Sequence, residues 1–417
     1  MKRYETYKDS GILWLDAIPS HWHEEKLKHI STCNDEVLPE DTPDELIIHY
    51  VEISDVDSVS GINNHTDYTF ANAPSRARRI TRKNDVIIST VRTYLKAIAT
   101  VKEDDLIVST GFAVIRPTKV NQKYLAYSLL NDDFLGEVIS KSVGVSYPAI
   151  NATDLIEIKI PVPPREEQET IAAYLDHKVG QIDATLAEKE QMLEDLKNYR
   201  SAIISEAVTK GLDKNVEMKD SGIDKFPMIR SNWNTSKLKY IASIRSGSAL
   251  PINNIKKDAL YEVYGGNGCM GRTDEYNTES PAIIIGRVGA LCGNVHLIKT
   301  KKWVTDNALI LNIKRDVTYE YLYYYLTAYD LNTLNSSNAQ PLITGTKVLD
   351  VVTPMPSLNE QIMIANYLDD KTSMIDETID QITVQIVELK SYKSALITEA
   401  VTGKIDLREW KPKEEKV

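Results

Sequence analysis

Two stretches of the chain carry a helical rhythm of apolar positions. From Leu175 they recur four and three residues apart, through Val179, Ile182, Leu186, Leu193, Leu196, Ile203 and Ala207, with Lys189 and Arg200 in the two remaining places. The same register runs through Leu368, Thr372, Ile375, Ile379, Ile382, Ile386, Leu389, Lys393, Leu396 and Ala400. A 4,3 spacing keeps one stripe facing a partner helix. The sequence therefore predicts two long helices whose seams include Leu175, Ile182 and Leu196 on the first and Ile375, Ile382 and Leu389 on the second. Proline breakers precede both, at Pro161, Pro163 and Pro164 and at Pro354 and Pro356, and acids follow at Glu166, Glu167 and Glu169 and at Glu360, near the positive helix start. A helix of about 40 residues spans about 60 Å. That length, and charge on the non-seam positions, favour a coiled coil of the two helices over burial inside one domain. Antiparallel packing would place the segments preceding each helix at opposite ends, about a pseudo-twofold. At the matching seam positions Arg200 and Lys393, snorkelling into solvent is favoured over a role in setting register.

Elsewhere the apolar runs are short and bounded by turn formers, which predicts strands. They are 46–53, 86–91, 106–108 and 113–115 in one middle segment and 260–264, 282–285 and 308–311 in the other. Each segment ends in a predicted helix, 124–130 or 319–326, followed by a polar loop, GVSYPAIN at 144–151 or NAQPLITG at 338–345. Small α+β domains are expected from this pattern.

The rhythm reflects duplication. Residues 161–213 align without a gap on 354–406 with 24 identities in 53 positions, and 8–30 align on 219–241 with 12 identities in 23. The middle segments, roughly 31–155 and 242–348, share their apolar rhythm but little sequence. One architecture is thus predicted to carry two different surfaces, as suits a protein that does one thing to two different targets. The expected domains are 1–160 and 211–353, joined by helices at 161–210 and 354–417.

Composition sets the class. With 417 residues, 42% of them apolar, the chain can bury about two to three ordinary cores. No run approaches the length of a membrane span and the start has no secretory apolar core, so a cytoplasmic protein is expected. Cys33, Cys269 and Cys292 are scattered without a C-x-x-C pair, which supports neither a disulfide framework nor a four-ligand zinc site. His21 and His23 flank Trp22, but the repeat has Asn232 and Asn234 around Trp233, so no metal is expected there.

The net charge of −11 argues against nucleic acid until it is mapped. Residues 165–206 and 358–399 each carry −5; the remainder is nearly neutral. Within it, Arg76, Arg78, Arg79, Arg82, Lys83, Arg92 and Lys96 bunch with a single acid, Asp85. A local basic face survives the acidic total.

Two motifs mislead. Gly266, Gly268 and Gly271 spell G-x-G-x-x-G, but the RTDEYNTES run at 272–280 does not read as a helix able to hold phosphate. A glycine-dense turn is expected instead. Asp154, Glu157 and Lys159 resemble a nuclease metal set, yet the repeat puts Asp350 and Val352 at the positions of Glu157 and Lys159, which fits edge-strand charges better. No catalytic constellation is found.

Taken together, the KDSGI…IP…HW…LK run at 8–28, its copy at 219–239, both P-x-P…EQ…I-A-x-Y-L-D-x-K…ID helices and both EAVT…D ends resemble the specificity subunit of type I restriction-modification enzymes. STVRTYL at 89–95 with STGFAVIRP at 109–117 looks like one subclass of target recognition domain, and VYGGNGCMGRTDEY at 263–276 with AIIIGRVGALCGNV at 282–295 like another. The second copy lacks the I-P of the first. The resemblance implies two small α/β target recognition domains joined by two antiparallel coiled-coil helices, each domain reading one half of an interrupted double-stranded DNA site. It implies no cofactor and no catalysis by this chain. Its partners would be two modification subunits that methylate adenine, and restriction subunits in the full complex. A fused nuclease-methyltransferase is an alternative partner. A coiled-coil protein-binding scaffold is another reading, but it leaves the basic cluster unexplained. Base edges are read by Arg, Lys, Asn, Gln, Ser or Thr on loops and helix starts. The candidates are Arg76, Arg78, Arg79, Arg82, Arg92, Tyr94 and Lys96 in the first domain and Arg245, Asn267, Arg272, Arg287, Gln340 and Lys347 in the second.

Overall fold

Helix formation dominates wherever the 4,3 rhythm occurs. In the computed structural model, which describes residues 2–58, 60–213, 215–289, 291–335 and 341–412, the two rhythmic stretches are continuous helices, Arg165–Lys210 and Leu358–Val401. The chain divides into two compact units, 1–190 with 384–417, and 191–383. Each unit holds a mixed head, the start of one long helix and the end of the other.

In the first unit, helix residues to 190 face those from 384. Asp183 pairs with Lys393 at 2.7 Å and Lys189 bonds Gln385 at 2.7 Å; one number rises as the other falls, so the helices run antiparallel. Leu175, Val179, Ile182, Leu186, Ile386, Leu396 and Ala400 are buried and Leu389 is half-buried. In the second unit, Ile203, Ala207, Leu368 and Ile375 are buried, and half-buried Leu196 and Ile379 join the same apolar cluster. Ile382, in that unit, is buried too.

The two seam cations correct the sequence reading. Each meets a carboxylate of the facing helix instead of snorkelling: Arg200 grips Asp376 with two bonds, 2.8 and 3.1 Å, and Lys393 holds Asp183. The two pairs occupy equivalent places in the repeat. A facing acid within reach of the long stem satisfies the cation where it already lies.

The first head is built on a four-stranded antiparallel sheet in the order Ile98–Thr100, Val86–Ser89, Phe112–Pro117, Ser31–Cys33. Both faces are covered, which is why its strands read as continuous apolar runs. Val86, Ile88, Ala113 and Ile115 pack with Leu125, Leu129 and Phe134 of the helices Gln122–Leu130 and Asp132–Ser140. Ile87, Phe112 and Val114 alternate onto the other face and meet Val51 and Val108 of a second sheet, ordered Thr66–Thr69, Ile47–Val51, Leu106–Ser109, Ala77–Ile80.

The second head repeats this plan without its sequence. Val295–Ile298, Ala282–Gly286, Ala308–Ile313 and Ala242–Ser246 form the corresponding sheet. Ile283, Ile285, Leu309 and Leu311 face the helix Tyr319–Tyr329, while Ile284 and Ile310 face the opposite side. Its second sheet has three strands, Gly268–Thr273, Tyr261–Gly265 and Trp303–Val304. In both heads the second sheet includes one parallel pairing, Ile47–Val51 with Leu106–Ser109 and Tyr261–Gly265 with Trp303–Val304.

Duplicated side chains lock each head to the helix ends. Buried Tyr124 donates to the carbonyls of Pro161 and Val401, and buried Tyr321 to those of Pro354 and Val208. Gln168 accepts from the Asn121 amide, as Gln361 does from that of Thr318. The indoles of Trp22 and Trp233 donate to Glu167 and Glu360. The tryptophans, glutamates and glutamines stand at matching positions of the aligned repeats.

Candidate nucleic-acid interface

The sheets of each head end in turns, and the turns carry the polar side chains. In the first head, strand Val86–Ser89 runs into Thr90, whose amide bonds the Gly111 carbonyl at 2.8 Å; the Arg76 carbonyl accepts from Thr110 at 2.8 Å. Arg76 and Arg92 therefore flank one tight turn, 109–111, at the same end of the two sheets. Arg92 lies in the left-handed region, φ 50° and ψ 46°, a conformation uncommon outside glycine and frequent at functional sites. It is exposed, and its guanidinium stacks 4.8 Å over the Tyr147 ring. The loop bearing Tyr147 is cinched by reciprocal backbone bonds between Val143 and Ala149 and tied to the strand by Ile150 to Thr90. Tyr94 beside them is exposed, while Lys96 is paired with Asp132 at 2.5 Å.

The remainder of the basic cluster points elsewhere. Residues 77–80 form an edge strand, so Arg82 lies about 17 Å along the chain from Ala77, at the end away from turn 109–111. Arg82 bonds Glu36 at 2.7 Å, and Glu36 also accepts from Arg116, which clasps Asp85 with its remaining nitrogens. Arg78 stacks 4.6 Å over Phe70. Arg79 is half-buried, its Nη1 has no partner among the described residues, and burial pushes the guanidinium below its ordinary value. Density of arginine in the sequence thus overstates the open basic face.

The second head has the equivalent end. Arg287 takes the place of Thr90, with its amide on the Asn307 carbonyl and its own carbonyl accepting from Ile343. Gly289, φ 85°, stands where Arg92 is. Three further segments converge there so closely that a Cβ on Gly286 would lie 2.2 Å from the Gly266 carbonyl oxygen, and one on Gly247 2.2 Å from that of Thr305. The G-x-G-x-x-G run is accordingly the turn of a hairpin, Tyr261–Gly265 with Gly268–Thr273, and no helix comes directly after it.

The structure brings Asn267 and Arg287 to this end, with Arg245 on the strand that ends there. Arg287 reaches Ser246 at 3.3 Å, and Asn267 accepts from Asn294 at 3.3 Å beside Gly266. The Nε of Arg287 is buried without a partner among the described residues. Arg245 donates to the Asn277 carbonyl at 2.7 Å. Arg272 and Lys347 stand apart: Arg272 holds the carbonyls of Ala259 and Leu260, and Lys347 that of Leu334. Gln340 lies outside the described residues. Sequence reasoning missed Tyr147, although its loop was singled out; a lone aromatic in a polar loop gives no signal of the arginine it will meet.

The nuclease-like trio disperses into separate contacts, Asp154 with Asn151, Lys159 with Glu24, and Glu157 with two lysines. Glu157 lies 2.6 Å from both Lys26 and Lys28, whose hydrogen bonds hold its carboxyl down at about 2. Asp350 repeats the arrangement with Lys237 and Lys239. Among the described residues no helix is long and apolar enough to cross a membrane.

Comparison with known proteins agrees. The family model described as type I restriction modification DNA specificity domain matches residues 50–195 and 230–388. The EcoprrI specificity subunit of a type I restriction enzyme from Escherichia coli is 31% identical over 162 residues, 38% of each chain. The match thus spans well under half of that relative's length. The MjaVIII specificity subunit from Methanocaldococcus jannaschii is 23% identical over 316 residues, 68% of this chain and 70% of that one. A solved chain from work on complex assembly and conformational transition of the type I R-M system shares the fold, with TM-score 0.71 at 23% identity, over 93% of this chain and 99% of that one. With both heads matched by the same model, the chain belongs to the type I restriction modification DNA specificity family.

Proposed function

We propose that this chain is the non-catalytic DNA-specificity subunit of a type I restriction-modification complex, each head reading one half of an interrupted site. The observation that carries the proposal is the pair of turn-built ends on one scaffold, with Arg76, Arg92 and Tyr94 on one and Arg245, Asn267 and Arg287 on the other. Equal frameworks with unequal side chains suit two half-sites of different sequence. Arg92 is the base-reading candidate of the first head, since stacking on Tyr147 orients its fork for a bidentate contact; exposed Arg76 beside the same turn is the phosphate candidate. In this reading 1–160 and 211–353 are the functional domains and 161–210 and 354–417 the spacers.

The long helices are the docking surfaces for two modification subunits. Support comes from their acidic outer positions and from apolar side chains left exposed on them: Met192, Met374, Val384, Val387 and Tyr392. Two equivalent helix surfaces suit two copies of one partner, with restriction subunits joining in the full complex in the cytoplasm. Expression with and without this chain in a host carrying the modification subunit, followed by single-molecule methylome sequencing, tests the function. A bipartite adenine-methylation motif that appears only with the chain supports it; methylation indifferent to the chain refutes it. Light scattering of the purified complex should give two partners per chain, and a one-to-one mass at saturation would overturn the symmetric assembly.

A further inference from the structure

The geometry points to a transition-metal site on the first head, formed by His49, His65 and Asp67. His49 and Asp67 are direct cross-strand partners in the sheet of Ile47–Val51 and Thr66–Thr69, so both side chains leave the same face. The opposite face, through Ile48 and Tyr50, is buried. His65 immediately precedes the outer strand and turns its ring edge-on to His49, with centroids 5.2 Å apart. Asp67 Oδ1 lies 2.7 Å from His49 Nδ1 and 3.6 Å from His65 Nε2, and the three donor atoms all fall within 4.8 Å of one another.

Those distances are close to what coordination requires. Bonds of about 2.0–2.1 Å to histidine nitrogen in a tetrahedron set donor atoms about 3.3 Å apart, so side-chain rotations alone seat an ion between these three. Two imidazoles with one carboxylate select zinc, nickel, cobalt or copper over magnesium or calcium, which prefer all-oxygen shells. With three protein ligands the remaining position belongs to water. His49 is level with Leu106, away from the turn at 109–111, so the ion would staple the edge strand and the chain entering it to the sheet. The sequence expectation of no metal rested on the scattered cysteines and on the His21 and His23 pair; the hairpin register that joins residues 49 and 67 lies beyond any local pattern.

The test is calorimetric titration of the chelator-stripped full chain with zinc chloride, repeated on His65→Ala and Asp67→Asn. Both residues are exposed, and circular dichroism with a melt in chelator verifies folding. One zinc ion per chain is expected, weakened at least tenfold in each variant, since losing even an outer-shell partner costs about 10- to 100-fold. A cobalt-loaded sample should show the visible bands of nitrogen and oxygen ligation and lose them in His65→Ala. Zinc binding unchanged in both variants places the ion elsewhere, and absence of binding at a millimolar excess removes the site; either result overturns the inference and leaves DNA reading untouched.

Discussion

Replacing Arg200 and Asp376 singly and together isolates the charged contact that spans the seam of the second unit. Arg200 is a quarter exposed and Asp376 half exposed, and two bonds of 2.8 and 3.1 Å join them. At about 4 Å and an effective dielectric near 20 the gross attraction is about 4 kcal/mol. Desolvation of the guanidinium and about 2 kcal/mol of side-chain entropy oppose it. The expected coupling is therefore about 1 kcal/mol, the upper end for pairs that water can reach. Arg200→Met keeps an aliphatic stem in the seam and frees a carboxylate that hydrates easily. Asp376→Asn strands a half-buried cation and should cost more. Denaturant unfolding of both singles and the double, followed through Trp233 and Trp303, measures the coupling as the departure from additivity. In 1 M salt, where the screening length is about 3 Å, it should shrink to a fraction of a kcal/mol. The equivalent Asp183–Lys393 pair, a single bond from a point charge, should couple more weakly. A coupling indistinguishable from zero at low salt, or equal for both pairs, would refute this view of the seam.

Leu196→Asp and Leu389→Asp each put charge into a seam position, and either should lower the stability of its unit by several kcal/mol; an unchanged thermal transition would show the seam misassigned. Tyr147→Ala should relax the methylation motif at one position of one half, as Arg92→Ala does at about 1 to 3 kcal/mol, whereas Tyr147→Phe should preserve it. Arg76→Ala should weaken DNA binding for all sequences and lower the salt slope by about one phosphate equivalent, while Arg272→Ala should reduce stability with no change of motif. Glu157, held at about 2 against an ordinary 4.5, favours the charged folded form, so its stabilising contribution is complete above about pH 4.5 and vanishes as pH falls through about 2. The difference between wild type and Glu157→Gln in urea midpoint should close across that window, and a constant offset would contradict the assignment.

The helices were the most legible part of the chain, since thirty-odd residues at a 4,3 spacing admit few other structures. The strands were legible as well: both faces of the central sheets are covered, so Val86 to Ile88 and Ile283 to Ile285 read as unbroken apolar runs. The strand Ala77–Ile80 was hidden because arginines on an edge interrupt any apolar pattern. For the same reason the basic cluster looked like one surface. Only the fold reveals that Arg82 and Arg116 share Glu36, that Arg79 is half-buried, and that Arg76 lies across a turn from Arg92. Contacts between residues far apart in sequence, such as Arg92 with Tyr147 or His49 with His65, depend on register that local pattern does not encode. Duplication supplied what pattern could not: Asp350 and Val352 at the copied positions broke the nuclease-like set, and the fold then placed Glu157 and Asp350 each beside two lysines.

Exchange of residues 31–155 for the matching domain of a relative with a known motif, read out by single-molecule methylome sequencing, tests the two-reader account most directly. The account predicts a motif in which one half is replaced by that of the donor and the other half and its methylated adenine stay as they were. A motif changed in both halves, or in neither, would contradict it.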